Sequence, residues 1–304
     1  MADDLGAQQE YIEYLELREV WKNIGLSLEK EELEKWRTEF PVNIAVLDSG
    51  VKGDHEAFRS SRHPQPKVLK SFVMKNGERL NDNSDDKDLG HGTFCAGVAA
   101  GYPIPSPKKV KDYKIKKLAE TFSKLQQLPD GSKKVVEDIF DVLSGGDVEV
   151  LPFVGVAPFA NVISYKVIDD NDNVDEEALA CTLQDLVKYN SSVEFKKKIH
   201  IASMSLSVQY HDGVRRALYD VLNSDIIVVA AACNMGQRYN YCNGNIWFPA
   251  RFGNVISVGS HDNHGQPSKI SSVGREVDFL APGEEMWGPS FRENGSIEKV
   301  STFD

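Results

Sequence analysis

Short runs of apolar and β-branched residues alternate with helix-like stretches along most of this chain of 304 residues. The strand-like runs occupy residues 42–50, 161–168, 199–206, 225–232 and 254–260. The helix-like stretches occupy residues 174–189 and 213–223. Short apolar runs are typical of strands buried on both faces of a parallel sheet. The alternation therefore predicts a three-layer α/β domain, with a mostly parallel twisted sheet and helices on both of its faces.

Two segments depart from this alternation and set the expected domain boundaries. Residues 1–40 carry apolar residues at spacings close to the helical period, which predicts a helical N-terminal extension. The α/β domain is expected to span residues 41–304. Within it, residues 102–150 open with prolines and contain PDG and SGG turn signals, which predicts a helical insertion. Its basic first arm and acidic second arm are expected to pair with each other; the alternative is a docking site.

Composition argues against several classes of function. The formal net charge of −11 disfavours nucleic-acid binding, which needs an excess of Lys and Arg on one face. No apolar run reaches membrane-spanning length, so no membrane partner is expected. The four cysteines include no CxxC pair, which disfavours zinc-ribbon and thioredoxin-type sites. Because the first residues show no secretory signal, we expect free thiols and a cytoplasmic location. The sequence sets no oligomeric state.

Two motifs place a carboxylate and an imidazole at the ends of predicted elements. Asp48 ends the first strand in DSG, where functional residues of a parallel sheet are expected. An Asp before Gly is also ordinary turn chemistry. His91 lies in GHGTFCAGVAAG, before a run of small residues that suits the start of a closely packed helix. A single His is often structural, but its pKa also suits proton transfer near neutral pH.

A third motif places an amide at the end of another predicted strand. Asn234 follows the buried run in VVAAACNMG. Its side chain can donate a hydrogen bond to a developing oxyanion. The alternative is an Asn that satisfies a turn. Each of the three motifs is weak evidence when it is considered alone.

The order of the motifs is more specific than any one of them. DSG, GHGTFCAG, GVAPFANVISYKV, SMSLS, VVAAACNMG, FPARFGNVISVGS and SSVGREVDFLAPG follow one another along residues 41 to about 290. This series resembles the subtilisin-like serine proteases. The HGT-x-CAG form with Cys95 is most similar to the proteinase K branch, although Phe94 stands where that branch has a second His.

The resemblance implies roles for residues on both sides of a peptide-binding cleft. Asp48 would orient His91, which would act as general base and then general acid, and Asn234 would donate to the oxyanion. A polypeptide substrate would lie as an added strand between two segments of this chain. These segments are Ser205, Leu206 and Ser207 on one side and Asp170, Asn171, Asp172 and Asn173 on the other. Cys233 and Ser207 replace family glycines and are expected to narrow the first specificity pocket.

The family's nucleophile motif, GTS-x-A, does not occur in this sequence. Family spacing after residues 281–283 would place it immediately beyond Asp304. We therefore expect a subtilisin-like serine endopeptidase domain that is incomplete at its C-terminal end and inactive by itself. The alternative is a catalytically inactive homologue that acts as a peptide-binding or regulatory module.

No cofactor and no metal ligands are predicted. Residues 81–88 and 169–177 are rich in oxygen ligands, but neither has the Gly and Glu positions of an EF-hand loop. We expect both segments to be solvated loops. The family resemblance makes calcium possible without locating a site for it.

Overall fold

The computed structural model describes most of the chain outside the predicted insertion. The described residues are 16–26, 30–60, 63–75, 78–80, 86, 90–104, 153–236, 246–262, 264–290 and 297–300. The insertion predicted at residues 102–150 lies outside them from residue 105 onward. No helix in these ranges is both long and apolar enough to cross a membrane.

Five α-helices and ten β-strands make up the described structure. The helices are α1 Leu17–Asn23, α2 Lys30–Glu39, α3 His91–Ala100, α4 Glu176–Ser192 and α5 Asp212–Leu222. The first strands are β1 Asn43–Asp48, β2 Val68–Lys75, β3 Glu78–Leu80, β4 Asn161–Lys166 and β5 Ile201–Met204. The remaining strands are β6 Ile227–Ala231, β7 Ile256–His261, β8 Phe279–Pro282, β9 Met286–Pro289 and β10 Ile297–Val300.

Eight strands form one sheet in the order β3-β2-β4-β1-β5-β6-β7-β8. All neighbours in this sheet are parallel except β2 and β3, which are antiparallel. Strands β9 and β10 form a separate antiparallel pair. The mostly parallel sheet predicted from the sequence is therefore confirmed.

Strand β1 shows how the three layers are built, because all six of its residues are buried. Side chains alternate between the two faces of a strand. Ala45 and Leu47 face a core shared with α4 and α5. Ile44 and Val46 face a second core shared with α3. The sheet thus carries helices on both faces, and β1 directs its last residue, Asp48, to the edge where α3 begins.

The N-terminal helices share a third apolar core with the α/β domain. Leu17, Trp21 and Leu33 pack there with Tyr102 and Val154, and all five are buried. The Trp21 indole N–H also donates to the carbonyl of residue 156 at 2.9 Å.

Arg37 of α2 fixes the same helices through polar contacts. Its guanidinium donates to Asn161 Oδ1 at 2.8 Å, to the Pro66 carbonyl at 2.9 Å and to the Tyr102 hydroxyl. A buried guanidinium is tolerated only where its N–H groups find acceptors. Residues 16–26 and 30–40 are therefore packed as part of the domain rather than as a free appendage.

Candidate active site

Asp48 lies at the carboxyl end of β1 with only 1% of its surface exposed. Its Oδ1 accepts a hydrogen bond from the Ser49 backbone N–H at 2.8 Å and lies 2.7 Å from His91 Nδ1. The approach of α3 to this strand end requires Gly92. A Cβ atom there would lie 2.1 Å from the Gly50 carbonyl oxygen and 3.0 Å from Asp48 Cβ. The second glycine of the GHG sequence, Gly92, therefore permits the close contact between α3 and the end of β1.

His91 is the first residue of α3 and is partly exposed to the cleft. Because the Asp48 carboxylate can only accept, the hydrogen of the neutral ring lies on Nδ1 and Nε2 is left as a base. Cys95, one helical turn later, places its Sγ 3.9 Å from each ring nitrogen. Equal distances to both nitrogens place the sulfur against the ring rather than beyond Nε2.

Opposing effects set the pKa of His91. Burial disfavours the charged ring and lowers the pKa, whereas the Cys95 sulfur and the Asp48 carboxylate raise it by charge and hydrogen bonding. Together, the charge interactions and hydrogen bonds outweigh the effect of burial, so the pKa of His91 lies well above its ordinary value. The imidazolium that forms during proton transfer is therefore stabilised by this site.

This shift predicts how the stability of the fold depends on pH. The stabilisation that the folded chain gains from protonated His91 is complete at pH values below about 6.5, which is the pKa of an unfolded His. The contribution is lost as the pH rises through the raised folded-state pKa. We therefore expect the difference in unfolding free energy between the wild type and His91→Gln to shrink between about pH 6 and about pH 9. Urea unfolding at both pH values measures it, and a difference that grows with pH contradicts the assignment.

Asn234 lies three residues beyond β6, and its side chain is exposed. It lines the same two cavities as His91. The preceding Cys233 has a left-handed backbone with φ 88°. A side chain in this conformation costs roughly 1–2 kcal/mol relative to glycine. A glycine, which the family resemblance implies at this position, would avoid the strain.

A cavity of about 310 Å³ lies beside His91. One side is formed by Ser205, Leu206 and Ser207, as the sequence predicted for one wall of the cleft. Ile168, Asp172 and Val174 line the cavity from the opposing segment. Ile168 and Val174 were missed by the sequence analysis, which followed the polar residues of this loop and not the apolar residues that flank them.

The other residues predicted for the opposing wall are engaged within their own loop. The Asp170 carboxylate pairs with Lys166 Nζ at 2.7 Å. The backbone N–H groups of Asn171 and Asn173 both donate to Asp169 Oδ1 at 2.9 Å. Of the four residues predicted for this wall, Asp172 is the one that lines the cavity.

A second cavity, of about 490 Å³, is also lined by His91. It runs between α3 and the carboxyl-terminal parts of β5, β6, β7 and β8. Its lining is mostly small or apolar, including Ala99, Val229, Ala231 and Val258. Phe94, at the position of the second His in the proteinase K branch, lines it and packs against Gly288, where an added Cβ would lie 2.5 Å from its ring.

Asp48, His91 and Cys95 also form a group of potential metal ligands, with one ligand atom from each within 4.8 Å of the others. Nδ1 is already bound to the carboxylate, and the sulfur lies against the ring. This arrangement suits proton transfer better than coordination. The described residues give no location for the calcium that the family resemblance makes possible.

Asp86 was expected in a solvated loop, and this expectation is wrong for that residue. Its side chain is 2% exposed and accepts hydrogen bonds from three residues. The loop's high charge concealed it in the sequence. The available signal was its position five residues before His91, close enough to cap the helix that His91 begins.

The sequence profile of the subtilase family matches residues 41–303. The chain belongs to the subtilase family. It is 27% identical over 249 residues to subtilisin DY of Bacillus licheniformis, covering 81% of this chain and 66% of that protein. It is 25% identical over 261 residues to a cuticle-degrading serine protease of Orbilia oligospora, covering 85% of this chain and 46% of that protein. This subtilase chain thus spans about half to two thirds of these relatives.

Solved structures show the same fold. The S41 psychrophilic protease superposes on this subtilase chain with a TM-score of 0.60 at 20% sequence identity. The match covers 86% of this chain and 71% of that structure. The subtilisin-like fold predicted from the motif order is therefore confirmed.

Proposed function

We propose that this chain carries the acid–base half of a subtilisin-like serine endopeptidase. The observation that supports it most is the 2.7 Å contact between His91 Nδ1 and a buried Asp48 carboxylate beside a peptide-sized groove. His91 Nε2 would take the proton of the nucleophilic hydroxyl as that oxygen attacks the peptide carbonyl. The same nitrogen would then give the proton to the leaving amine. Asn234 would donate a hydrogen bond to the oxyanion.

The proposed nucleophile is a serine in the family's GTS context, which these 304 residues do not contain. The 490 Å³ cavity supports this part of the proposal. Its small and apolar lining between α3 and the sheet suits a packed helix, and His91 lies at its rim. A helix that begins in this cavity with a serine would bring the hydroxyl close to His91.

Labelling with a fluorophosphonate probe tests the proposal. The probe is applied to the 304-residue chain and to the same chain joined in frame to a C-terminal segment that carries GTS. We expect labelling only of the longer chain, at the serine of GTS, because a hydroxyl is a weak nucleophile without an adjacent base. A folded longer chain that is not labelled contradicts the proposal.

An inactive peptide-binding or regulatory module is the second candidate. It is supported by the 310 Å³ cavity beside His91, which the described residues form by themselves. Peptide binding by the 304-residue chain, together with no labelling of the folded longer chain, would favour this candidate over the endopeptidase.

Substrate specificity is predicted from the two residues that replace family glycines. Ser207 Oγ donates to Cys233 Sγ at 3.4 Å, so the two side chains meet across the groove beside Asn234. We expect the longer, active chain to prefer Gly or Ala over Phe in the residue that provides the scissile carbonyl. The side chains of Ser207 and Cys233 fill the space that two glycines would leave. A large substrate side chain would therefore overpack the pocket, at a cost of about 1–3 kcal/mol in binding.

The double variant Ser207→Gly/Cys233→Gly is expected to remove this preference. An increase of about tenfold or more in the ratio of kcat/KM for the Phe peptide to kcat/KM for the Ala peptide would support this prediction. Peptides that differ only at this residue measure the effect. An unchanged ratio shows that other residues set the size of the pocket. Asp212→Asn, on the surface at the start of α5, serves as the control.

A further inference from the structure

Asp86 is at the centre of a buried network that connects the strand of Asp48 to the helix of His91. Its Oδ1 accepts from Ser49 Oγ at 3.0 Å and from the Gly90 backbone N–H at 2.9 Å. Its Oδ2 accepts from the Thr93 backbone N–H at 3.0 Å and from Thr93 Oγ1 at 2.8 Å. Four hydrogen bonds thus satisfy a carboxylate that is almost completely removed from water.

These contacts act on α3 at its first turn. The backbone N–H groups at the start of a helix have no partner within the helix, and a carboxylate there also interacts favourably with the helix dipole. Gly90, which precedes α3, has a left-handed backbone with φ 76°, and its side-chain position cannot supply a cap. Asp86 therefore takes the role of the missing cap and fixes the start of the helix, including His91.

The same carboxylate acts on β1 through Ser49. The Ser49 hydroxyl donates to Asp86 and accepts from the Gly92 backbone N–H at 3.0 Å. Ser49 follows Asp48 directly, and its own N–H donates to the Asp48 carboxylate. The residues next to Asp48 and His91 are therefore joined by one hydroxyl, which is itself held by Asp86.

We propose that Asp86 and Ser49 are positioning residues that set the distance between Asp48 and His91. The inference rests on the proposed endopeptidase function for its catalytic meaning. Without this link, strand and helix would still pack through their apolar cores, but the Asp48–His91 pair would lose its defined geometry. Misplacement of reacting groups by about 1 Å can cost about 100-fold in rate.

Two variants test the proposal, Ser49→Ala and Asp86→Ala. Ser49→Ala removes the link but keeps the Asp86 carboxylate and its contacts to Gly90 and Thr93. In the 304-residue chain, NMR titration is expected to show the pKa of His91 falling toward its ordinary value in both variants. In the chain extended with GTS, both are expected to slow fluorophosphonate labelling by about 10- to 100-fold.

Asp175→Ala is the matched control for loss of a helix cap. Asp175 is the N-cap of α4, and its carboxylate accepts from the backbone N–H groups of Glu177 and Ala178 at 3.0 Å each. Both this variant and Asp86→Ala are expected to lower thermal stability, but in Asp175→Ala the pKa of His91 and the labelling rate are expected to stay unchanged. A purely structural role for Asp86 would make the two variants alike in all three measurements.

A further variant separates failure of this inference from failure of the proposed function. Asp48→Asn removes the charged partner of His91 directly and must lower the pKa of His91 if the pair exists. If Asp48→Asn lowers that pKa but a folded Ser49→Ala chain keeps the wild-type pKa and labelling rate, the positioning role is overturned. If neither variant changes the pKa of His91, the assignment of Asp48 as the partner of His91 is itself wrong.

Discussion

Replacing His91 by alanine in the chain extended with GTS is expected to lower the rate of peptide hydrolysis by about 10⁶-fold, the size known for loss of this residue type in subtilisin. The serine hydroxyl then has no base, because Nε2 of His91 is the acceptor that the geometry provides. Asp48→Asn is expected to cost about 10⁴-fold, since it leaves the ring in place but no longer favours the required tautomer. Hydrolysis of a chromogenic peptide measures both losses.

His211→Ala is a suitable control for the loss of an imidazole. His211 caps α5 through a contact from the Val214 N–H to its Nδ1 at 3.4 Å and lines neither cavity beside His91. Its removal is expected to leave the hydrolysis rate unchanged. Labelling of the unextended chain that survives His91→Ala and disappears when one of its own serines is replaced would contradict the mechanism.

Truncation of Trp21 is expected to destabilise the domain by about 3–5 kcal/mol. The Trp21 side chain is 5% exposed, packs in the core shared with Tyr102 and Val154, and donates to the carbonyl of residue 156. Trp21→Ala therefore removes apolar burial and leaves a carbonyl without its donor. Such a loss is a large part of the 5–15 kcal/mol that stabilises an ordinary domain.

Urea unfolding followed by circular dichroism measures the effect of Trp21→Ala. Ile24→Ala in the same helical segment is the control, because Ile24 is 41% exposed and its truncation is expected to cost less than about 1 kcal/mol. Equal effects of the two substitutions would show that α1 does not contribute to the domain's core. The helices α1 and α2 would then be an independent extension.

The regular elements of the fold were predictable where the sequence pattern was strong. Almost wholly buried, β1 and β4 appear in the sequence as short, mostly apolar runs. By contrast, β8 is only four residues long, ends in Pro282, and has side chains that are exposed or half-buried, so it does not stand out as a buried strand in the sequence. Strand β2 carries Lys at both positions 70 and 75, which interrupts the same signal.

The candidate site was predictable at its conspicuous motifs and not at the contacts between them. Asp48 and His91 lie in recognisable motifs, so the order of these motifs predicted that the two residues act as a pair. Asp86 lies in a loop of many acids, where only its position five residues before His91 distinguishes it, and that signal is weak. The contact of Ser207 with Cys233 joins residues far apart in the chain, and only the packing of β5 beside β6 brings them within reach.

The central position of β1 also constrains the order in which the chain can fold during synthesis. Its partners are β4 and β5, so Asn43 pairs with Asn161 and Ile44 with Ile201. More than a hundred residues must leave the ribosome before either edge of this apolar strand is covered, and such non-local pairing is slow and prone to aggregation. During synthesis we therefore expect β1, which carries Asp48, to be exposed to non-native contacts until β4 has emerged.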